Sequence, residues 1–191
     1  MKRAFVTGSA GFIGFHVSKK LLENGWQVLG IDGLTNYYDI ALKEKRNSIL
    51  KGFKDFSFKK IMLEDSIPLK KALKKYQPHV GFHLAAQAGV RYSLKNPNAY
   101  CETNILGTFN LLEAIKLLNL EHFLVASSSS VYGGNKSIPY KEVDVCDKQL
   151  SLYAASKKAK EILTHTYSHI HKIPAACFRF FTVYGPWGRP D

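Results

Sequence analysis

Two apolar spacings alternate along the chain. Short runs of strand-forming residues occur over 3–7, 27–31, 56–62, 79–84, 123–127 and 175–181. Between them lie stretches with apolar positions three and four apart, over 12–24, 40–50, 69–76, 98–118 and 152–171. The first pair is the clearest. Arg3-Ala4-Phe5-Val6-Thr7 is a compact strand, Phe12, Ile13, Val17, Leu21 and Leu22 then fall on one helical stripe, and Gly25 ends it. Strands that alternate with helices of this length join as right-handed crossovers into one parallel sheet covered on both faces. The expected class is therefore α/β, a doubly wound parallel sheet in a single domain over 1–191, with no internal repeat and no linker.

Composition fits that picture, with 46% hydrophobic and 22% charged residues in 191. The longest apolar stretch, around 175–183, contains Arg179 and falls well short of the roughly 18 residues of a membrane span. The opening residues read as a strand and not as a secretion signal. A soluble, cytoplasmic protein with no membrane partner is expected. Cys101, Cys146 and Cys177 are too scattered for a disulfide framework or a metal pair. The net charge of +12 favours an anionic ligand, but the lysines come mostly as short pairs on amphipathic stretches, which reads as a solvated basic surface. A nucleic-acid groove needs aromatics interleaved with basic residues, and only Tyr37-Tyr38 and Tyr92 approach that pattern, so no nucleic acid is expected. His165, His169 and His171 crowd the end of one helix without a Cys, Asp or Glu beside them, so no metal is expected.

Three segments carry chemistry. Gly8, Gly11 and Gly14 follow the first strand and open the first helix, where a tight turn, a close backbone approach and a positive helix end together suit a pyrophosphate. Asp32 stands 18 residues past Gly14 at the end of the second strand, where a carboxylate suits the free ribose hydroxyls of NAD and repels the 2′-phosphate of NADP. Tyr153 and Lys157 are four apart on a predicted helix and share a face. A lysine ammonium and an oxidised nicotinamide near the phenol lower its pKa from about 10 and make it a usable base. Finally, Ser127-Ser128-Ser129-Ser130 closes a strand at its C-terminal end, where open α/β sheets bind ligands.

With these motifs in this order, the chain resembles the extended short-chain dehydrogenase/reductase family and its sugar-nucleotide epimerases. The strings 83–93 and 179–191 look most like those of UDP-glucuronate 4-epimerases. The resemblance implies a Rossmann-like fold, NAD as cofactor and a UDP-sugar as substrate. It makes Gly8, Gly11, Phe12, Ile13, Gly14, Asp32, Leu63, Leu84, Ala85, Ala86 and Asn104 cofactor-binding, together with Tyr153 and Lys157. It makes Ser128, Tyr153 and Lys157 catalytic, and Gln87, Arg91, Ser129, Ser130, Thr182 and Arg189 substrate contacts. Thr182 and Arg189 would grip the sugar carboxylate. The implied reaction is transient oxidation at C4, giving a 4-keto sugar that is reduced again on its other face. A UDP-glucuronate decarboxylase or a UDP-glucose 4-epimerase is the near alternative. The helices over 98–118 and 152–171 resemble the family's four-helix dimer interface, which implies a homodimer.

Two departures qualify the resemblance. Met62 stands where the family places an aspartate for the adenine amino group, leaving the backbone and Asp65 for that task. The family also continues past residue 191 with a last strand and a smaller substrate domain, so the expectation includes an NAD-binding fragment without independent catalysis.

Overall fold

A computed structural model describes residues 1–190. Strands β1 (Arg3–Thr7), β2 (Gln27–Asp32), β3 (Phe56–Lys60), β4 (Val80–His83), β5 (His122–Ala126) and β6 (Ala175–Phe178) form one sheet in the order β3-β2-β1-β4-β5-β6. Every pairing is parallel. The order reverses between β1 and β4, and the crevice at that switch point is where such sheets bind ligands.

Side chains alternate across the strands and feed two cores. Phe5 and Leu29 point to one face, where they meet Leu69 and Leu73 of α3 (Ser66–Tyr76), Leu111 and Leu112 of α6 (Gly107–Ile115), and Phe123. Val6 and Val28 point to the other, onto Phe15 and Leu22 of α1 (Phe12–Glu23) and Leu50 of α2 (Ile40–Lys51). The last helix, α7 (Leu152–His171), is capped by the Ser151 hydroxyl and brings Tyr167 and Leu163 to the first core.

Three boundaries differ from expectation. The strand over 56–62 ends at Lys60, because β2 gives it partners only as far as Asp32 and the chain then turns, Asp65 N–H bonding to Met62 C=O at 3.1 Å. The strand over 175–181 ends at Phe178, beyond which the Phe180 carbonyl accepts from Ser129 N–H at 2.8 Å. The helix over 98–118 is not continuous. It begins as short turns at α4 (Tyr92–Lys95) and α5 (Pro97–Tyr100), the latter capped by Asn96, passes through a π-helical segment, Cys101–Leu106, and only then becomes α6. The widened segment sets Asn104 fully inside the protein. Among the described residues, no helix is long and apolar enough to cross a membrane.

Candidate active site

The turn from β1 into α1 is built for close backbone approach. Gly8 has φ +74°, and a Cβ there would sit 2.7 Å from the Ala85 nitrogen. A Cβ on Gly14 would lie 2.0 Å from the Gly8 carbonyl oxygen, so helix and loop pack at a distance only glycine allows. Gly11, the N-cap of α1, offers no side-chain acceptor, which leaves the first-turn N–H groups to a ligand.

Beside this turn lies a cleft of about 280 Å³. Gly8, Gly11, Phe12, Ile13 and Gly14 form its floor, and Leu63, Leu84, Ala85, Ala86 and Gln87 stand on the far wall. Asp32 closes one end. Its Oδ1 accepts from Leu34 N–H at 2.8 Å and its Oδ2 from Ala10 N–H at 3.1 Å, and each oxygen keeps a second lone pair. Burial raises the Asp32 pKa, against the pull of those N–H groups and of Lys43 and Arg46. A cradle that a Cβ would fill, a carboxylate with spare acceptors and an apolar slot fit a dinucleotide.

The serine, tyrosine and lysine converge beyond the β4 end of that cleft. Ser128 caps a 3₁₀ turn, Ser129–Tyr132, its Oγ accepting from Ser130 N–H at 3.2 Å. Tyr153 lies close enough to the Ser128 hydroxyl and to Arg189, which lines the cleft, for both to lower its pKa, while Ser128 Oγ itself donates to Ser130 Oγ at 3.2 Å. Burial outweighs both and raises the phenol pKa. Lys157 is the expected neighbour, with Nζ 5.8 Å from the Tyr153 ring centre. Its bond, however, goes to the Ala126 carbonyl at 3.1 Å, and the groups that lower the phenol here are Ser128 and Arg189. Complete burial brings the Lys157 pKa down to about 8.

A second buried layer supports these groups. Lys160, fully buried, donates to the Ala85 carbonyl at 3.1 Å. His83 lies between Thr7 Oγ1 at 2.8 Å and Thr108 Oγ1 at 3.0 Å, and burial with the charges of Lys160 and Lys157 holds its pKa far below the usual value. Asn104 accepts from Gln87 N–H at 2.8 Å and donates to Gln87 C=O at 3.0 Å and to Ser156 Oγ at 2.9 Å. Both amide N–H groups are spent on protein partners, so the buried side chain positions the segment at Gln87, four residues past the end of β4.

Other expected residues are dispersed. Ser129 and Ser130 are half-buried next to Ser128. Arg91 and Thr182 are exposed, and neither is among the described residues that line the cleft. Met62 does line it, its sulfur pressed against Gly33, where a Cβ would be 2.1 Å away. Asp65 is exposed and outside the described lining, which corrects its expected role at the adenine. Sequence reasoning passed over Lys43, Glu64 and Thr103, which line the same cleft. Lys43 lies within α2, Glu64 in the turn after β3 and Thr103 in the interrupted helix, and nothing local in the sequence marks them as facing one cleft.

A glycine-floored crevice at the switch point, with Asp32 at one end and Tyr153, Ser128 and Lys157 near the other, defines a dinucleotide-binding domain of the short-chain dehydrogenase/reductase class. The chain belongs to the NAD dependent epimerase/dehydratase family, which it matches over residues 4–191. It is 52% identical over 189 residues to a probable UDP-glucuronate 4-epimerase of Rhizobium meliloti, covering 99% of this chain and 55% of that protein. It is 50% identical over 191 residues to UDP-glucuronate 4-epimerase 1 of Arabidopsis thaliana, covering 97% of this chain and 43% of that one. Its fold superposes on the Bacillus cereus UDP-glucuronic acid 4-epimerase, crystallised with UDP-glucuronic acid and NAD, with TM-score 0.92 and 39% identity, covering 99% of this chain and 59% of that one. The chain thus spans about half the length of the relatives it matches.

Proposed function

We propose that this domain is the NAD-binding and proton-transferring part of a UDP-sugar 4-epimerase, and that its sugar is UDP-glucuronate, converted to UDP-galacturonate. The observation that carries the reading is Tyr153 set beside Ser128 with Lys157 Nζ over its ring, next to a cleft lined by Asp32. NAD held there would supply a reversible hydride acceptor for sugar C4, with no net redox change over a turnover. The protein's residues do the rest. Gly8, Gly11 and the first turn of α1 take the pyrophosphate, and Asp32 takes the ribose hydroxyls. Tyr153, as phenolate, takes the proton of the sugar 4-hydroxyl and later gives it back, while Ser128 holds the same oxygen in place. Arg189, at the cleft wall, pairs with the sugar carboxylate, which keeps a 4-keto acid from losing CO₂. Lys157 and Lys160, buried beneath, fix the strand ends through Ala126 and Ala85.

A homodimer is part of the proposal. Leu106, Phe109, Ile162 and Ile170 are all at least 40% exposed on the π-helical segment, α6 and α7, an apolar surface that fits a second copy of the chain. A second reading is an NAD-binding unit without turnover of its own, favoured by the bare flank at Phe181, Val183 and Tyr184 beside β6. Mass spectrometry of gently denatured protein for released NAD, then incubation with UDP-glucuronate and separation of products, tests both. UDP-galacturonate formed supports the epimerase, NAD without product supports the second reading, and failure to hold NAD overturns both.

A further inference from the structure

The cleft wall beyond Asp32 contains a carboxylate with unspent capacity. Ile31, Gly33, Ile61, Met62 and Leu63 make an apolar slot next to the residue read as holding the adenosine ribose. A purine in that slot offers its 6-amino group as a donor, and the wall must supply an acceptor. Most acceptors there are engaged. The Met62 carbonyl accepts from Asp65 N–H at 3.1 Å, and the carbonyls of Leu63 and Glu64 each accept from Asn110 Nδ2 at 3.1 Å. The Met62 thioether is a weak acceptor. Glu64, which lines the same cleft, differs. Thr103 Oγ1 donates to its Oε1 at 2.5 Å and fixes the carboxylate, while Oε2 is buried and has no hydrogen-bond partner. A buried, unpaired carboxylate oxygen is costly unless a donor arrives, and in a ligand cleft the ligand is the natural donor.

We propose that Glu64, oriented by Thr103, reads the 6-amino group of the adenine and makes the site selective for adenine over 6-oxopurine dinucleotides. The assignment rests on the reading of the cleft as an NAD site. It gives Met62 the role of an apolar face for the ring and moves polar recognition two residues along the chain.

The test compares NAD with nicotinamide hypoxanthine dinucleotide, which presents a carbonyl in place of the amino group. Affinities are measured by calorimetry on protein stripped of nucleotide, so no turnover is needed. Wild-type protein is expected to prefer NAD by at least about tenfold. In Glu64→Gln, whose amide can donate to a carbonyl, the preference is expected to shrink at least about fivefold, with melting temperature nearly unchanged. No preference in wild type, or an unchanged ratio in Glu64→Gln, overturns the assignment to Glu64 while leaving the NAD site intact. Failure of wild-type protein to bind either dinucleotide overturns the NAD reading and this inference with it. The wild-type comparison stands even where the variant does not fold.

Discussion

The guanidinium of Arg46 donates to the carbonyl of Trp187 at 2.6 Å, tying α2 to a segment 141 residues further along the chain. The same side chain, with no exposed surface, also donates to the carbonyls of Ala10 and Gly188 and to the Tyr38 hydroxyl. One buried cation thus joins the glycine turn, the loop after β2 and the segment that carries Arg189 into the cleft. Arg46→Met keeps most of the volume but strips the buried Ala10 carbonyl and the part-buried Trp187 and Gly188 carbonyls of a charged donor. A loss of about 3 kcal/mol is expected, read as a fall in melting temperature of roughly 6–12 °C. An unchanged melting point would mean that these carbonyls find other donors.

Asp32 sets the choice between dinucleotides. Its two oxygens already hold the Ala10 and Leu34 amides, so replacing it with asparagine keeps an acceptor but removes the charge that repels a 2′-phosphate. Lys43, on the same cleft wall, would then face that phosphate without competition. Asp32→Asn is expected to weaken NAD roughly tenfold and to strengthen NADP by a similar factor, a change of about 1.4 kcal/mol each way, measured by titration calorimetry. Retained preference for NAD would move the discrimination elsewhere.

What the sequence made legible was what is local. Gly8, Gly11 and Gly14 sit within one turn, and Tyr153 and Lys157 within one turn of helix, so spacing alone placed them together. The alternation of strand and helix likewise gave the sheet class, because each element's apolar period is its own. The π-helical segment was hidden, since the apolar pattern runs through 98–118 without a break and only Asn96-Pro97 marks a start. The pairs that finish the cleft were also hidden. Thr103 meets Glu64 across 39 residues and Arg46 meets Trp187 across 141, and neither distance leaves a periodic trace. Lys157 was placed correctly beside Tyr153, but its bond to the Ala126 carbonyl depends on where β5 ends.

Exposed apolar side chains on α6 and α7 give a third expectation. Phe109, 40% exposed, lies edge-on to Tyr167 with ring centres 6.4 Å apart, and Ile162 is 56% exposed. A glutamate at either position would place a charge in the proposed interface at little cost to the monomer fold. Phe109→Glu with Ile162→Glu is expected to sediment as a monomer at concentrations where the parent chain is a dimer. A monomeric parent would remove the dimer from the proposal.

Lys157 links the site to stability through pH. Its pKa in the folded protein is about 8, against about 10.4 in an unfolded chain. Between those values the unfolded chain binds the extra proton, so stability rises with pH across that window and the penalty is full and constant below pH 8. The gap corresponds to about 3 kcal/mol, from which a lost hydrogen bond to Ala126 subtracts about 1 in a Lys157→Met variant. The variant is therefore expected to be more stable than the parent by about 2 kcal/mol at pH 7, with that advantage shrinking as pH approaches 10. Urea unfolding at pH 7 and pH 9.5 measures both. A variant less stable at pH 7 would show that the ammonium is better solvated inside the protein than its burial implies. Loss of turnover in a variant that has gained stability would show that the lysine serves the proposed reaction and not only the Ala126 carbonyl.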